Sequence, residues 1–414
     1  MKKIILILGI LAANCLYAQD IEYAKSMVDK LCSNEMQGRG YVNNGVNKAA
    51  IFLEQEFKNL KLKPINKSFT QIYGFDVNTH PTLIKCQIDE KAYRVGYEFI
   101  VNAACPSITG KFNLIHFNWK DSADKLLLMN KIQKGFKANE ALVLRYGNER
   151  STHILDSFEK YQTQPGFVVF TEEKKITHTI AREVNKIASI TIFDSLIQNK
   201  ESLLIELKNE FVDVFKCKNI MGMVKGKSKD SFIVYTAHYD HLGMQAEAMF
   251  PGASDNASGV SMILSLAKYY AKNKPNYDTY FLLFSGEEAG LLGSHYFVDY
   301  PTFSLSRIKF LMNIDIMGNA ENGIMIVNGE ANKQKYDLMS SINNQKKYVP
   351  EVKIRGKAAN SDHYFFSEKG VPAIFIYSLG GQGYYHDVQD RAENLLYTNY
   401  ENVFRLIRDF TDQL

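Results

Sequence analysis

The second half of this 414-residue chain alternates short apolar runs with amphipathic stretches, and this alternation constrains the fold more than any other feature. Each apolar run is short enough for a strand and ends at a turn or loop. Near-continuous apolar strands flanked by helices predict a mainly parallel or mixed α/β sheet that is buried on both faces. The expected strands are 232–236, 280–284, 310–314, 323–327 and 373–377, and the expected helices are 258–270, 293–298, 334–342 and 362–369.

The pattern changes twice along the chain. Residues 20–62 are predicted to be mainly helical, with a Gly-rich break at 38–40. From about residue 80, β-like runs alternate with charged and Asn-rich connections, and the acid-rich Gly turns of the second half are missing. We therefore expect a discontinuous main domain with an inserted smaller domain. Its parts would be 19–80 and 205–414, with 81–204 as the insert.

The first residues have the pattern of an export signal. Met1 is followed by two lysines, then by an apolar run over 4–13 and by Ala18 as a small residue before the expected cut. We expect a signal peptide over 1–18 and a periplasmic or extracellular protein. Cys15 offers the alternative of a lipid anchor, which Asn14 before it fits poorly. No later stretch is apolar for long enough to span a membrane.

Charge and cysteine content narrow the function classes. Removal of Lys2 and Lys3 with the signal leaves 47 of the 49 basic residues against 45 acidic ones, and this near-neutrality argues against a nucleic-acid partner. Four cysteines permit two disulfides in an oxidising compartment, but no pair has C-x-x-C spacing, which argues against a Cys-based zinc or redox site. They are Cys32, Cys86, Cys105 and Cys217.

Imidazole and carboxylate side chains follow the predicted strands, where ligands gather in α/β sheets. His238 ends the first of these strands; a lone His there is most often a structural hydrogen bonder. Asp240 follows two residues later, and its carboxylate could hold the second ring nitrogen of a metal-bound His238. Asp255 precedes a predicted helix and is either an N-cap or a carboxylate that bridges two metals.

Glu287 and Glu288 are adjacent at the end of an apolar run. Two such carboxylates repel each other unless a cation or a proton intervenes. A solvated surface pair is the simpler alternative, but Gly286 before and Ala289 and Gly290 after them favour a tight turn in a confined site. One Glu would then bind metal while the other accepts a proton.

Asp315 and His386 complete the candidate set. Asp315 is embedded in an apolar run, where an acid is costly to bury without a partner. That partner is either a metal or an Arg or Lys. His386 would be an ordinary surface histidine if it stood alone, and it is a ligand candidate because the set otherwise lacks a second imidazole.

The motifs AHYDHLG, PGASDNASG, FSGEEAGLLGS, NIDIMG, SDH and YYHDVQD resemble those of the co-catalytic di-zinc aminopeptidase family of secreted bacterial and yeast vacuolar type. The resemblance covers 20–65 and 215–414, and Met36 to Gly40 also fits it. It implies a zinc-exopeptidase-like fold, two zinc ions and peptide substrates with a free N-terminus. It further implies that His238 and Asp315 hold one zinc, that Glu288 and His386 hold the second, that Asp255 bridges both, that Glu287 is the general base and that Asp240 supports His238.

Two departures and two rival functions stay open. The insert, with its segment 166–170, resembles a protease-associated domain only weakly. Some family members place a Tyr before the Ser-Asp-His motif to stabilise the oxyanion, where this chain has 358–360 as Ala-Ala-Asn. That role is unassigned here, and Tyr384 or Tyr385 could provide it from the neighbouring loop. The family also contains single-zinc glutaminyl cyclases and a receptor without metal ligands. Retention of all candidate ligands favours the aminopeptidase.

Overall fold

A computed structural model of the chain describes residues 21–145, residue 158 and residues 163–414, so the expected signal peptide and Cys15 lie outside the described residues. The helices of the described residues are α1 (Ile21–Leu31), α2 (Gly45–Asn59), α3 (Ser122–Lys134), α4 (Asp194–Ile197), α5 (Gly259–Lys272), α6 (Leu292–Asp299), α7 (Lys333–Lys346), α8 (His363–Glu368) and α9 (Tyr400–Thr411). Single 3₁₀ or π turns occupy Asn34–Arg39, Val42–Asn44, Ala253–Ser258, Leu305–Arg307 and Ala392–Asn394.

The strands of the described residues fall into two large sheets and a hairpin. The first ten are β1 (Lys63–Pro64), β2 (Thr70–Thr79), β3 (Lys85–Ile88), β4 (Lys91–Tyr93), β5 (Phe99–Val101), β6 (Ile108–Asn118), β7 (Glu140–Arg145), β8 (Phe167–Glu172), β9 (Ser189–Phe193) and β10 (Ser202–Leu207). The others are β11 (Glu210–Val224), β12 (Ser228–His238), β13 (Gly243–Gln245), β14 (Ala248–Phe250), β15 (Tyr277–Phe284), β16 (Ile308–Ile314), β17 (Ile324–Val327), β18 (Val352–Ile354) and β19 (Ala373–Ser378).

The larger sheet in the described part of the chain has nine strands in the order β1-β11-β15-β12-β16-β19-β17-β18, with β2 paired to β11. Its centre is parallel, because β12 pairs with β15 and β16 in parallel register and β16 pairs likewise with β19. Antiparallel pairs β11 with β15 and β17 with β19 flank this centre. The mixed α/β class predicted from the sequence is therefore confirmed, and each predicted strand of the second half is present.

Alternate residues of the central strands serve two cores, which explains the near-continuous apolar runs within these strands. In β12, Ile233 and Tyr235 pack with α5 and α9 on one face. Phe232 and Val234 pack on the other face with α6 and α8. Since successive side chains of a strand point to opposite faces, a sheet covered on both sides leaves no position for a polar alternation.

The two flanking helices of the first core show how burial follows spacing. Helix α5 is buried along most of its length, and its apolar residues recur three and four apart. Helix α9 carries a narrower stripe of that kind, with Val403, Phe404, Ile407 and Phe410 in the same core. Both helices therefore close one face of the nine-stranded sheet behind its central strands.

The eight-stranded sheet is built entirely from strands between residues 85 and 207, in the order β4-β3-β10-β6-β7-β8-β9-β5 within the described residues. Strands β6 to β9 are parallel neighbours. Ala141 and Val143 of β7 enter one core, whereas Leu142 and Leu144 enter a second core with α3. This sheet therefore also has apolar layers on both faces.

The hairpin β13–β14 and strand β2 contact the region of the eight-stranded sheet through backbone groups or a side chain that mimics them. The side-chain amide of Gln245 pairs with the backbone of Val101 as a strand residue would: Nε2 donates to Val101 O at 2.6 Å and Oε1 accepts from Val101 N at 2.9 Å. Asn78 N donates to Ala181 O at 2.9 Å close by. These bonds satisfy polar groups that the junction buries.

The cysteines of the described residues do not form disulfides. All four cysteines in the described part of the chain are free thiols, so the two disulfides that their number permits are not formed. Burial raises the pKa of Cys32, Cys86 and Cys105 to about 12, which keeps these thiols protonated.

Within the described ranges, no helix combines the length and the apolar character needed to cross a bilayer.

Candidate metal centre

Three neighbouring parallel strands bring the candidate residues to one edge of the nine-stranded sheet. His238 is the last residue of β12, Glu287 and Glu288 follow β15, and Asp315 follows β16. Asp255 comes from the turn that leads into α5, and His386 comes from the loop after β19. The carboxyl ends of adjacent parallel strands share an edge, which is why residues 77 positions apart in sequence can be neighbours here.

His238 links two of the carboxylates. Its Nε2 lies 3.2 Å from Asp255 Oδ1 and 3.2 Å from Asp315 Oδ1, and all three side chains are buried. Asp315 pairs with this imidazole and with the hydroxyl of Ser361, at 2.9 Å, so the alternative of an Arg or Lys partner does not occur in the described part of the chain. Asp255 makes no side-chain cap on the helix that follows it.

His386 and Glu288 form the other side of the cluster. His386 Nε2 lies 3.1 Å from Glu288 Oε2 and 3.4 Å from Asp255 Oδ2. Asp255 thus presents one oxygen to His238 and the other to His386, which is the disposition expected of a bridging carboxylate. The assignment of these five residues as ligands stays a prediction.

Two oxygens of Asp240 lie near the second ring nitrogen of His238, and the role of Asp240 as a support for that ring stays a prediction. His238 Nδ1 lies 3.2 Å from the backbone oxygen of Asp240 and 3.8 Å from its carboxylate Oδ1. The backbone oxygen is therefore the nearer acceptor for the N–H of the ring. The carboxylate instead accepts from Tyr41 OH at 3.1 Å and from Glu287 N at 3.3 Å, so it ties the turn of Glu287 to the end of β12.

Glu287 is a partly buried acid beside the cluster, and its neighbour Glu288 is partly buried as well. A carboxylate oxygen of Glu287 and one ligand atom each of His238 and Asp315 lie within 4.8 Å of one another. The residue is partly buried, whereas Asp255 and Asp315 are buried. A carboxylate in this position can reach both the cluster and a molecule bound at its open side.

Two polar networks hold the loops that carry the carboxylates. Asn313 Nδ2 donates to Ser361 Oγ at 2.7 Å, and Ser361 then donates to Asp315 Oδ2. On the other side the buried carboxylate of Asp390 accepts from Ser254 N at 2.8 Å and from Asp255 N at 3.1 Å. Both carboxylates are therefore fixed through their surroundings rather than only through each other.

Arg39 is a third support and the largest fully buried polar side chain of the described residues. Its guanidinium donates to Tyr239 O at 2.8 Å, Pro251 O at 2.6 Å and Gly252 O at 2.7 Å. It thereby joins the segment after β12 to the turn of Asp255. The sequence marked this residue only as part of the motif 36–40.

Burial and the neighbouring charges shift the pKa values of the adjacent Glu287 and Glu288 in opposite directions. Burial, together with the charge of Glu288, raises the pKa of Glu287 well above its usual range. Burial also opposes ionisation of Glu288, but the neighbouring imidazoles of His241 and His386 outweigh it and lower the pKa of Glu288 to about 2. Burial lowers the pKa of His386, while Glu288 and Asp255 raise it more strongly, to about 10. The adjacent glutamates are thus set up for different protonation states.

The donor set fits a pair of zinc ions. Two imidazoles and three carboxylates are ligands that hydrolytic zinc uses. Four of these side chains are buried at one edge, and Glu288 is partly buried there. His386 Nε2 is buried and has no hydrogen-bond partner of good geometry, although carboxylate oxygens lie within 3.4 Å. Such a nitrogen, surrounded by carboxylates and without a hydrogen bond, suits a metal ligand.

The eight-stranded sheet also reaches this site. His386 Nδ1 lies 3.1 Å from His178 O, and Lys175 Nζ donates to Gly383 O at 2.7 Å. An N–H on Nδ1 that donates to this carbonyl leaves Nε2 free for the cluster. Tyr385, half exposed, stacks on His386 with ring centroids 3.8 Å apart; Tyr384 lies beside it in the same loop.

Sequence reasoning missed His241, His178 and the support by Arg39 and Asp390. His241 is fully buried and its Nδ1 lies 2.7 Å from Glu288 Oε1. Its position in the same motif as His238 was the available signal, three residues after a strand end. His178 had no such signal, because its backbone oxygen rather than its side chain makes the contact.

A mixed α/β sheet with imidazoles and carboxylates at its carboxyl edge defines a zinc-exopeptidase-like class. Residues 219–411 match the model of Peptidase family M28. The resemblance read from the motifs is thereby confirmed. The aminopeptidase YwaD of Bacillus subtilis is 31% identical over 212 residues, which cover 49% of this chain and 45% of that protein. A probable leucine aminopeptidase of Arthroderma otae is 27% identical over 220 residues, which cover 50% of this chain and 59% of that protein.

The fold extends the likeness over nearly the whole chain. The crystal structure of BSAP, a zinc aminopeptidase from Bacillus subtilis, superposes with a TM-score of 0.71 at 18% identity and covers 95% of this chain and 94% of its own. The sequence matches span only about half the length of the curated relatives. The common fold is therefore established, and the activity of the whole protein is a matter for proposal.

Proposed function

We propose that the chain is a zinc metallo-aminopeptidase that removes N-terminal residues from peptides. The observation that carries this proposal is the cluster at the ends of β12, β15 and β16, in which His238, Asp255, Glu288, Asp315 and His386 face one another. His238 and Asp315 would hold one zinc, Glu288 and His386 the second, and Asp255 both. The match of residues 219–411 to Peptidase family M28 supports the same activity.

The catalytic step follows from the position of Glu287. When held by these residues, zinc would lower the pKa of a water molecule and polarise the scissile carbonyl. Glu287 accepts the proton of the attacking water and returns it to the leaving amine, a role that suits a partly exposed carboxylate beside the buried cluster. Asp240 keeps Glu287 in place through the backbone N–H of that residue. The hydroxyl of Tyr385 is the candidate for stabilising the oxyanion, since its ring stacks on His386.

Selection of the free N-terminus would come from the acids around the second zinc. A peptide α-amino group is a cation at neutral pH, and Glu288 and Asp255 give the site a negative charge that attracts it. An N-blocked peptide lacks that charge. The proposal also includes a division into a discontinuous catalytic domain, 19–80 and 205–414, with 81–204 inserted, and export by the signal peptide read from residues 1–18.

The substitution Glu287→Gln tests the base. It keeps the shape of the side chain and removes its capacity to accept a proton, so kcat should fall by about 10²–10⁴-fold with zinc content unchanged. The measurements are steady-state rates on aminoacyl and N-acetylated peptides, with zinc counted per folded chain. Glu351→Gln, at an exposed position just before β18, is the matched control and should keep the wild-type rate.

Three outcomes would contradict the proposal. A near wild-type rate for the Glu287 variant would remove that residue as the base. Cleavage of N-blocked peptides alone would overturn the aminopeptidase assignment. One zinc per folded chain, with cyclisation of N-terminal glutamine in place of hydrolysis, would point to a glutaminyl cyclase.

A further inference from the structure

His241 is a buried imidazole beside the cluster that no part of the proposed mechanism uses. Its side chain has no exposed surface, and its Nδ1 lies 2.7 Å from Glu288 Oε1. We propose that His241 is a positioning residue, which rests on the proposed function: its Nδ1–H holds Glu288 so that the other carboxylate oxygen, Oε2, faces the second zinc site.

The two oxygens of Glu288 have separate partners. Oε1 accepts from His241, whereas Oε2 lies 3.1 Å from His386 Nε2. A carboxylate held through one oxygen presents the other in a single direction, which is what a metal ligand in a buried site requires. Without His241 the group could rotate about its Cγ–Cδ bond and lose that direction.

The imidazole itself is held rigidly. Gly252 has φ +60, and a Cβ on it would lie 2.5 Å from Cγ and Cδ2 of His241, so its backbone packs directly on the ring. On the other side the ring meets His386 edge-on with centroids 5.8 Å apart. The backbone N of His241 donates to Arg39 O at 3.2 Å. Only glycine at 252 leaves room for the ring in this position.

The tautomer follows from the ring's surroundings. Nε2 of His241 is buried and has no hydrogen-bond partner among the described residues. A neutral imidazole carries one N–H, and placing it on Nδ1 satisfies Glu288 without leaving a buried donor unpaired at Nε2. The geometry therefore gives His241 a donor role toward Glu288 rather than a ligand role.

The effect should be confined to one of the two zinc sites. On the other side Asp315 has its own support, since its Oδ2 accepts from Ser361. His241 makes no hydrogen bond to Asp315 or His238 within the described residues. Loss of His241 should thus weaken the site of Glu288 and His386 and spare the site of His238 and Asp315.

The test compares two substitutions by titrating zinc into metal-free protein against a competing chelator. His241→Phe keeps a ring and removes the donor, and it should lower the affinity of one of the two zinc ions by about 10–100-fold. His241→Asn places an amide N–H the same number of bonds from Cα as Nδ1, so its zinc affinities should lie within about threefold of wild type, as expected when a donor is restored.

A buried-histidine control separates positioning from general loss of stability. His80 is 2% exposed and its Nε2 lies 3.0 Å from Cys105 O, away from the carboxylates, so His80→Phe should lower thermal stability but leave both zinc affinities unchanged. Two wild-type affinities in His241→Phe would overturn the inference, as would an equal loss in His241→Asn. Two tight zinc ions in a wild-type protein without peptidase activity would instead contradict the proposed function alone.

Discussion

The two sheets share an architecture and differ in how they neutralise charge at the ends of their parallel strands. In the eight-stranded sheet, Arg145 at the end of β7 binds Asp194 after β9 through both carboxylate oxygens, at 2.7 and 3.2 Å. In the nine-stranded sheet the acids after β12, β15 and β16 face histidines, and in the described part of the chain none of them pairs with Arg or Lys. The acid after β9 is neutralised by an arginine of the protein itself. The acids after β12, β15 and β16 have no such partner among the described residues, and a bound metal ion would neutralise them.

The largest effect on stability is expected for Arg39→Met, which removes the only cation buried behind the acidic edge among the described residues. Several backbone oxygens, including those of Pro251 and Gly252, would lose their donor while staying buried. Each unsatisfied group costs about 1–3 kcal/mol, so the free energy of unfolding should fall by about 3–5 kcal/mol. Urea denaturation followed by fluorescence gives this value.

The matched control for this substitution is Arg182→Met, at an exposed position in the segment before β9. It should change the free energy of unfolding by less than about 0.5 kcal/mol. A loss under 1 kcal/mol for Arg39→Met would mean that the turn of Asp255 does not depend on the guanidinium.

Zinc should stabilise one sheet more than the other. At a free concentration 100 times its Kd, an ion that binds only the folded protein adds about 2.7 kcal/mol. Hydrogen exchange with zinc or with chelator should therefore show slower exchange for amides of β12, β15 and β16. Amides of β6 to β9 should change little, because their strand ends are neutralised by protein groups. Equal protection of both sheets would show that they unfold as one unit and would break the comparison.

The smallest effect is expected for Arg145→Met. The ion pair with Asp194 is partly exposed, at 31% and 19% of the two side chains, so its loss should cost about 1 kcal/mol with no change in zinc affinity. Lys120→Met is the control: it breaks the more exposed ion pair with Glu173, so its effect on the free energy of unfolding should be smaller still. If Arg145→Met changed the zinc affinity, the two sheets would be coupled more tightly than their contacts indicate.

The nine-stranded sheet was predictable because burial on both faces leaves a simple mark in the sequence. Strands such as β12 and β16 contain apolar runs, 232–235 and 310–312, and the acids that follow these strands mark the edge of the sheet. The eight-stranded sheet was predicted only as β-like runs, since pairing order depends on contacts across distances that no local pattern records. Strand β10, for example, lies between β3 and β6, which precede it by many residues.

The candidate site divides in the same way. Side chains with a chemical signature, such as Glu287 and Asp315, could be named from their position after strands. The contacts of His238 Nδ1 could not, because the choice between the backbone oxygen and the carboxylate of Asp240 depends on a turn geometry that the residue types do not determine. His241 was overlooked because a buried structural histidine and a positioning histidine look identical in sequence.

The contact between His386 and His178 O has a consequence for the order of events during synthesis. The carbonyl comes from a segment made 208 residues before the imidazole. The second proposed zinc site is therefore complete only after both segments have been made and have met. On the proposed function, a chain that stops before residue 386 would lack peptidase activity, because its second zinc site would be incomplete.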